Sequence, residues 1–169
     1  MADENDIQAT QPAESAQQPQ VRFSVQRIYI KDASFEAPDT PESFRRAYQP
    51  QVNFTINSRS KKVEDGIFEV VLRLTADVKQ EGKTVFLVEV QQAGVFEVAG
   101  LEGDRLDQVL SITCPSVLFP YGREAIDSLV TKASFPALML APINFEAVYA
   151  QAKRNQEAGI TAPETPEAQ

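Results

Sequence analysis

FEVVLRLTADVK, the stretch from Phe68 to Lys79, decides the fold class. Phe68, Val70, Leu72, Leu74, Ala76 and Val78 fall on one side of an extended chain. Glu69, Arg73, Thr75, Asp77 and Lys79 fall on the other. Apolar and polar residues alternating with period two read as a half-buried strand with one wet face, the kind antiparallel sheets contain. The next four residues, Gln80-Glu81-Gly82-Lys83, read as a hairpin turn, with Gly82 able to take positive φ. Beyond the turn, Thr84 to Val98 forms the partner strand. It buries Phe86, Val88 and Val90 and leaves Leu87, Glu89 and Gln91 on the wet face.

Upstream lie two more strands. Val52 to Ser58 alternates cleanly, with Val52, Phe54 and Ile56 on one face and Asn53, Thr55 and Asn57 on the other. Val21 to Lys31 is rich in β-branched and aromatic residues, but its phase changes: Phe23 and Val25 share one face, Ile28 and Ile30 the other. A bulge near Gln26 reconciles the two halves. Downstream the period becomes helical. Asp104 to Thr113 places Leu106, Val109, Leu110 and Thr113 on one stripe. Pro115 and Pro120 are expected to break that helix, Pro120 opening a second one that runs to about Ala133. Tyr121, Ala125, Ile126, Leu129 and Val130 form its stripe. Pro136 and Pro142 bracket an apolar loop, and Asn144 caps a last helix bearing Phe145, Val148, Tyr149 and Ala152. Four strands first and helices last make an α+β domain: a four-stranded antiparallel sheet with helices packed on one side.

The chain has 169 residues, 43% of them apolar, and a net charge of −8. Where the charge sits matters more than its size. Residues 1–20 carry Asp3, Glu4, Asp6 and Glu14, and residues 156–169 carry Glu157, Glu164 and Glu167. These two stretches hold seven of the 24 acids and none of the 16 bases, which leaves a nearly neutral body. Rich in Gln, Ala, Pro and Glu, they cannot offset the entropy of ordering, so they are expected to be disordered acidic tails around a domain at residues 21–155. Without a basic stripe, nucleic acid is not an expected partner. No run reaches the roughly 20 apolar residues that cross a membrane as a helix. The acidic start has no apolar segment of the secretory type, so the chain is expected in the cytoplasm.

A search for chemistry returns little. Without histidine, the commonest general base and the commonest zinc ligand are missing. One cysteine, Cys114, makes neither a disulfide nor a zinc site, and reads as a buried structural thiol. There is no phosphate loop, and Gly100 and Gly103 read as turn residues. The carboxylate pairs Glu64-Asp65 and Asp104/Asp107 read as a turn and a helix's first turn. No catalytic residue, metal site or cofactor is expected. A small enzyme using carboxylates alone stays as the rival of another class, to be marked by a closed pocket with converging acids.

Four longer stretches carry a resemblance. FSVQRIYIKDASFEAP (Phe23–Pro38), FLVEVQQAGVFEVAGLEG (Phe86–Gly103), CPSVLFPYGREAIDSLV (Cys114–Val130) and FPALMLAPINFEA (Phe135–Ala147) are similar, in this order, to the motifs of the SecB family of protein-export chaperones. The N-terminal tail is longer than is common there, and Tyr48 stands where some relatives carry tryptophan before Gln-Pro. The resemblance implies an α+β protomer assembling as a dimer of dimers, a homotetramer. It implies a non-enzymatic chaperone that binds unfolded precursor proteins, keeps them translocation-competent and delivers them to the SecA motor. It assigns motor docking to Asp32, Glu36, Leu87 and Glu89, two of which the strand pattern already places on the wet face. It assigns a client-binding groove to Phe44, Tyr48, Val52, Phe54 and Tyr149, with Phe44 and Tyr48 spaced i, i+4 in a short helical turn. The plain alternatives are solvated charge for the acids and core packing for Val52 and Phe54. The stripe on Asp104 to Thr113 is the expected subunit contact. A SecB-like chaperone dedicated to one partner, such as an antitoxin, is the alternative within the class.

Overall fold

The structure is a computed structural model and describes residues 20–159. The two tails otherwise lie outside the described residues. Four strands, β1 (Arg22–Glu36), β2 (Gln51–Glu64), β3 (Ile67–Gln80) and β4 (Lys83–Ala99), form one antiparallel sheet in the order β1-β4-β3-β2. A 3-10 turn (Glu42–Arg45) lies in the connection from β1 to β2. Helical structure follows: α1 (Gly103–Gln108), a π turn (Val109–Thr113), α2 (Cys114–Lys132) and α3 (Phe145–Glu157).

β3 and β4 behave as their alternation demands. Val70, Leu72, Leu74, Ala76 and Val78 of β3, with Phe86, Val88, Val90 and Phe96 of β4, are fully buried under the helices. The hairpin between them is tight: Glu81 (φ 52) and Gly82 (φ 77) both take positive φ, and Gln80 pairs with Lys83. Two consecutive positive-φ residues match the right-handed twist of the flanking strands.

The outer strands are longer than expected. β1 continues past Lys31 to Glu36 because it pairs with β4 along its whole length, from Arg22 opposite Ala99 to Glu36 opposite Leu87. Its register shifts twice. One shift lies between Val25 and Arg27, where a bulge at Gln26 was expected; the other lies between Ile30 and Asp32, at the end of the strand expected from the sequence. β2 runs six residues beyond Ser58 through Arg59, Lys61 and Lys62, still paired with β3. Val63 is the one large apolar residue of that half, so it carries no alternation to read, and its lysines keep an edge strand from pairing with another chain.

The expected break at Pro115 and Pro120 does not occur. The chain stays helical from Gly103 to Lys132, with Pro120 inside α2. Through the π turn the pairing lengthens: the Cys114 N–H donates to the Val109 carbonyl, five residues back. Pro115 then falls at the start of the resumed α-helix, where its missing N–H disturbs no established ladder. Pro120 and Ser116, whose carbonyl loses its partner, are both on the exposed side, where water serves.

Two glycines set how closely α2 approaches the sheet. A Cβ on Gly122 would lie 2.7 Å from Leu74 Cδ1 and 3.3 Å from Gln92 Cβ. A Cβ on Gly94 would lie 2.7 Å from Phe96 Cε2 and 3.0 Å from Leu118 Cδ2. Cys114 is fully buried in this layer, and burial pushes its thiol up to about 12, which makes it inert.

Candidate functional sites

The sheet has a helix-covered face and an outer face, and the register places the expected docking residues on the outer one. Glu36, Leu87 and Asp77 form one row across β1, β4 and β3; Ser34, Glu89 and Thr75 form the next; Asp32, Gln91 and Arg73 the third. Asp32, Glu36, Leu87 and Glu89 thus come together on two adjacent strands, with Leu87 directly between two carboxylates. Asp32 and Glu36 are exposed and have no ion-pair partner among the described residues. Glu89 is half-buried, accepts from Thr75 Oγ1 at 3.1 Å and pairs with Arg73 Nε at 3.2 Å. A patch with an apolar centre and unneutralised acids at its edge suits a basic partner.

The opposite end of the outer face is internally neutralised. Tyr29 donates to Glu69, and Lys31 Nζ donates to the same carboxylate at 2.7 and 2.9 Å. The Lys31 and Tyr29 hydrogen bonds hold the Glu69 carboxyl below the usual range, and the bond to Glu69 holds the Tyr29 hydroxyl up at about 12. Beneath this cluster, Ala93 and Val71 are buried although they face outward.

On the helix side, Phe44 and Tyr48 converge on one ring that sequence reasoning did not single out. Phe135 is buried, and its centroid lies 4.9 Å from Phe44, 6.3 Å from Tyr48 and 4.8 Å from Phe86. Phe44 remains 51% exposed and Tyr48 37%. The helical turn expected to hold both ends at Arg45, so Tyr48 lies beyond it in irregular backbone. Another device holds Tyr48: the Gln80 side chain donates to the Ala47 carbonyl and accepts from the Gln49 N–H, both at 2.9 Å. That amide brackets Tyr48 on both sides. An Arg46–Asp39 ion pair closes the preceding loop. In the sequence Phe135 stood beside Pro136, at the mouth of the apolar loop, and opened the fourth stretch that carries the resemblance.

Val52 stands opposite Val78, which pairs with Phe86, so it belongs to the same end of the sheet and is 46% exposed. Phe54 is half-buried against the core. Tyr149 is placed elsewhere: it donates to Asp107 Oδ2 at 2.7 Å, with Lys153 5.4 Å over its ring and Lys153 paired to Asp104 at 3.0 Å. The Asp107 bond raises its hydroxyl pKa. These contacts hold α3 along α1, and no aromatic contact among the described residues joins Tyr149 to the Phe135 cluster. No group of three or more Cys, Asp or Glu among the described residues could hold a metal ion.

The fold and its two surfaces define a class: a small α+β binding domain with a partly exposed aromatic cluster on one side and an acidic patch on the other. The comparisons with known proteins narrow it. The family model described as preprotein translocase subunit SecB matches residues 15–156. A protein-export protein SecB of Marinobacter nauticus is 53% identical over 148 residues, 87% of this chain and 90% of that protein. That of Hahella chejuensis is 52% identical over 151 residues, 89% of this chain and 94% of that protein. A SecB-like chaperone of Mycobacterium tuberculosis, solved with an antitoxin peptide, superposes with a TM-score of 0.61 over 72% of this chain and 91% of that one. At 16% identity that likeness speaks for the fold alone. The chain belongs to the SecB family of protein-export chaperones and is not an enzyme.

Proposed function

We propose that the chain captures unfolded precursor proteins on the surface around Phe44, Tyr48, Val52 and Phe54, without Tyr149, which is engaged with Asp107 on α1, and hands them to the SecA motor docked on Asp32, Glu36, Leu87 and Glu89. It works in the cytoplasm as a homotetramer, a dimer of dimers, without a cofactor, and its acidic tails keep the assembly solvated. The observation that carries the reading is Leu87, set in register between Glu36 and Asp77, with Asp32 and Glu36 free of ion pairs among the described residues. Client capture draws on large, half-exposed aromatic area, which is tolerant of sequence. Relatives at about half identity bear the export name, which favours this reading over a single-partner chaperone.

A titration of the purified chain with the SecA ATPase tests it. Asp32→Lys or Glu36→Lys should cost about 1–3 kcal/mol of motor binding while holding of an unfolded chain stays unchanged. The loss should shrink in high salt, because exposed charges are screened within about 10 Å at 0.1 M. Equal loss of motor and client binding would refute a dedicated docking face.

A further inference from the structure

Two residues past the end of α2, Ser134 lies in the left-handed region (φ 68), and the Phe135 N–H donates to the Val130 carbonyl at 3.1 Å. The chain then runs back along α2 as an irregular segment as far as Asn144. One α2 side chain grips it. Asp127 Oδ1 accepts from the backbone N–H of Leu138 at 3.1 Å and of Met139 at 3.3 Å. Leu138 and Leu140 pack half-buried against the core, while Met139 between them is 72% exposed and sits at φ 51. Left-handed backbone is uncommon for methionine, and such an outlier persists only where its surroundings over-determine it. Here they do: two N–H groups meet one carboxylate oxygen, and a leucine anchors each side. The outcome is a flexible, polarizable thioether held clear of the surface, on the segment that begins with Phe135, the ring beneath Phe44 and Tyr48. Beside the clasp a trough of about 400 Å³ opens, lined by Phe119, Pro120, Arg123, Glu124, Asp127 and Pro142.

We propose that Asp127 is a positioning residue for client capture: by clasping the Leu138 and Met139 amides, it holds Met139 out as a contact for the unfolded chain. The inference rests on the client-holding function proposed above and adds two residues to it. The clasp needs an oxygen in place, not a charge, so an asparagine amide should serve as well.

The test uses the full chain, with fluorescently labelled, reduced and carboxymethylated α-lactalbumin as the unfolded probe. Its dissociation rate is read by stopped flow, and the melting temperature of each variant is measured alongside. Met139→Ser should speed release about threefold with no change in melting, since most affinity differences among variants of one surface lie in the off-rate. Asp127→Ala should speed release comparably, and Asp127→Asn should restore it to within about twofold. Asp127→Ala that melts lower but releases the probe at the parent rate would overturn the inference, as would Asp127→Asn releasing as fast as Asp127→Ala. Met139→Ser at the parent rate, with Tyr48→Ala faster, overturns the inference and leaves the groove standing. If both release at the parent rate, the groove and the inference fall together.

Discussion

At the scale of single residues, Phe135 and Tyr48 separate stability from function. Phe135 is 5% exposed and touches four other aromatic rings. Its truncation, Phe135→Ala, should cost about 3–5 kcal/mol of stability. Tyr48 touches the same ring but is 37% exposed, so Tyr48→Ala should cost only about 1 kcal/mol while client release quickens. Chemical denaturation and probe dissociation on the same two proteins check both halves. A Tyr48→Ala protein that is strongly destabilised and still holds clients would place Tyr48 in the core instead. A second test concerns pH. The Glu69 carboxyl titrates below its usual 4.5 in the folded chain, so its contribution is present above that value and is lost as acid protonates it. The Tyr29 hydroxyl is raised from 10.0 to about 12, so its contribution is complete below pH 10 and is lost as pH climbs toward the shifted value. Tyr29→Phe should flatten the alkaline limb of a stability-versus-pH profile; an unchanged limb would remove the hydrogen bond from the account.

At the scale of elements, the helical layer depends on a close approach that only glycine permits. Alanine at position 122 would gain about 1 kcal/mol of helix propensity. Against that, its Cβ would press on Leu74 and Gln92, both buried, and overpacking of this kind costs about 1–3 kcal/mol. Gly122→Ala should therefore be net destabilising by about 1 kcal/mol, seen as a lower denaturation midpoint with an unchanged slope. A stabilised variant would mean that α2 can lift from the sheet at little cost. The same layer explains why the proline reading failed. Pro115 and Pro120 carry the local signal for a helix end, and the signal is sound for an isolated helix. Packing of Leu110, Leu118 and Phe119 onto the sheet keeps the chain helical through both, with the π turn absorbing the mismatch. β1 shows the converse. Its apolar residues changed phase in the sequence, and one of two bulges was legible from that change; the second, at Lys31, lay at the end of the expected strand, so the phase change from Ile28 and Ile30 to Ala33 and Phe35 beyond it went unread.

At the scale of the whole molecule, the two sheet edges differ. β2 shows Arg59, Lys61 and Lys62 at its far end, a charged edge that resists pairing. β1 leaves Phe23 40%, Val25 41% and Ile30 54% exposed. The stripe on Asp104 to Thr113 faces its own core in part: Leu110 is buried, and Leu106 and Val109 are half-buried against it. Surplus apolar area on β1 supports assembly of copies through that strand. Light scattering at micromolar concentration should give four times the 18.7 kDa of one chain. Val25→Asp should lower that mass, and a parent protein that stays monomeric would remove the tetramer from the proposed function.

The sequence by itself determined the strands β3 and β4, the turn at Glu81-Gly82, the wet face bearing Leu87 and Glu89, and the helical layer that follows. These are local: the pleat turns alternate side chains to opposite faces, and water sorts them, whatever the rest of the chain does. Asp32 and Glu36 were named only through the family resemblance, and they reach that face because β1 pairs with β4 as far as Glu36. What only the tertiary structure decided were the meetings of residues far apart in the chain. Phe44 and Tyr48 converge on Phe135, Gln80 brackets Tyr48, Asp127 clasps Leu138 and Met139, and Tyr149 turns to Asp107 instead of to the aromatic cluster. No period along the chain encodes such contacts, because each forms only when packing of the sheet and helices has brought the two segments within reach.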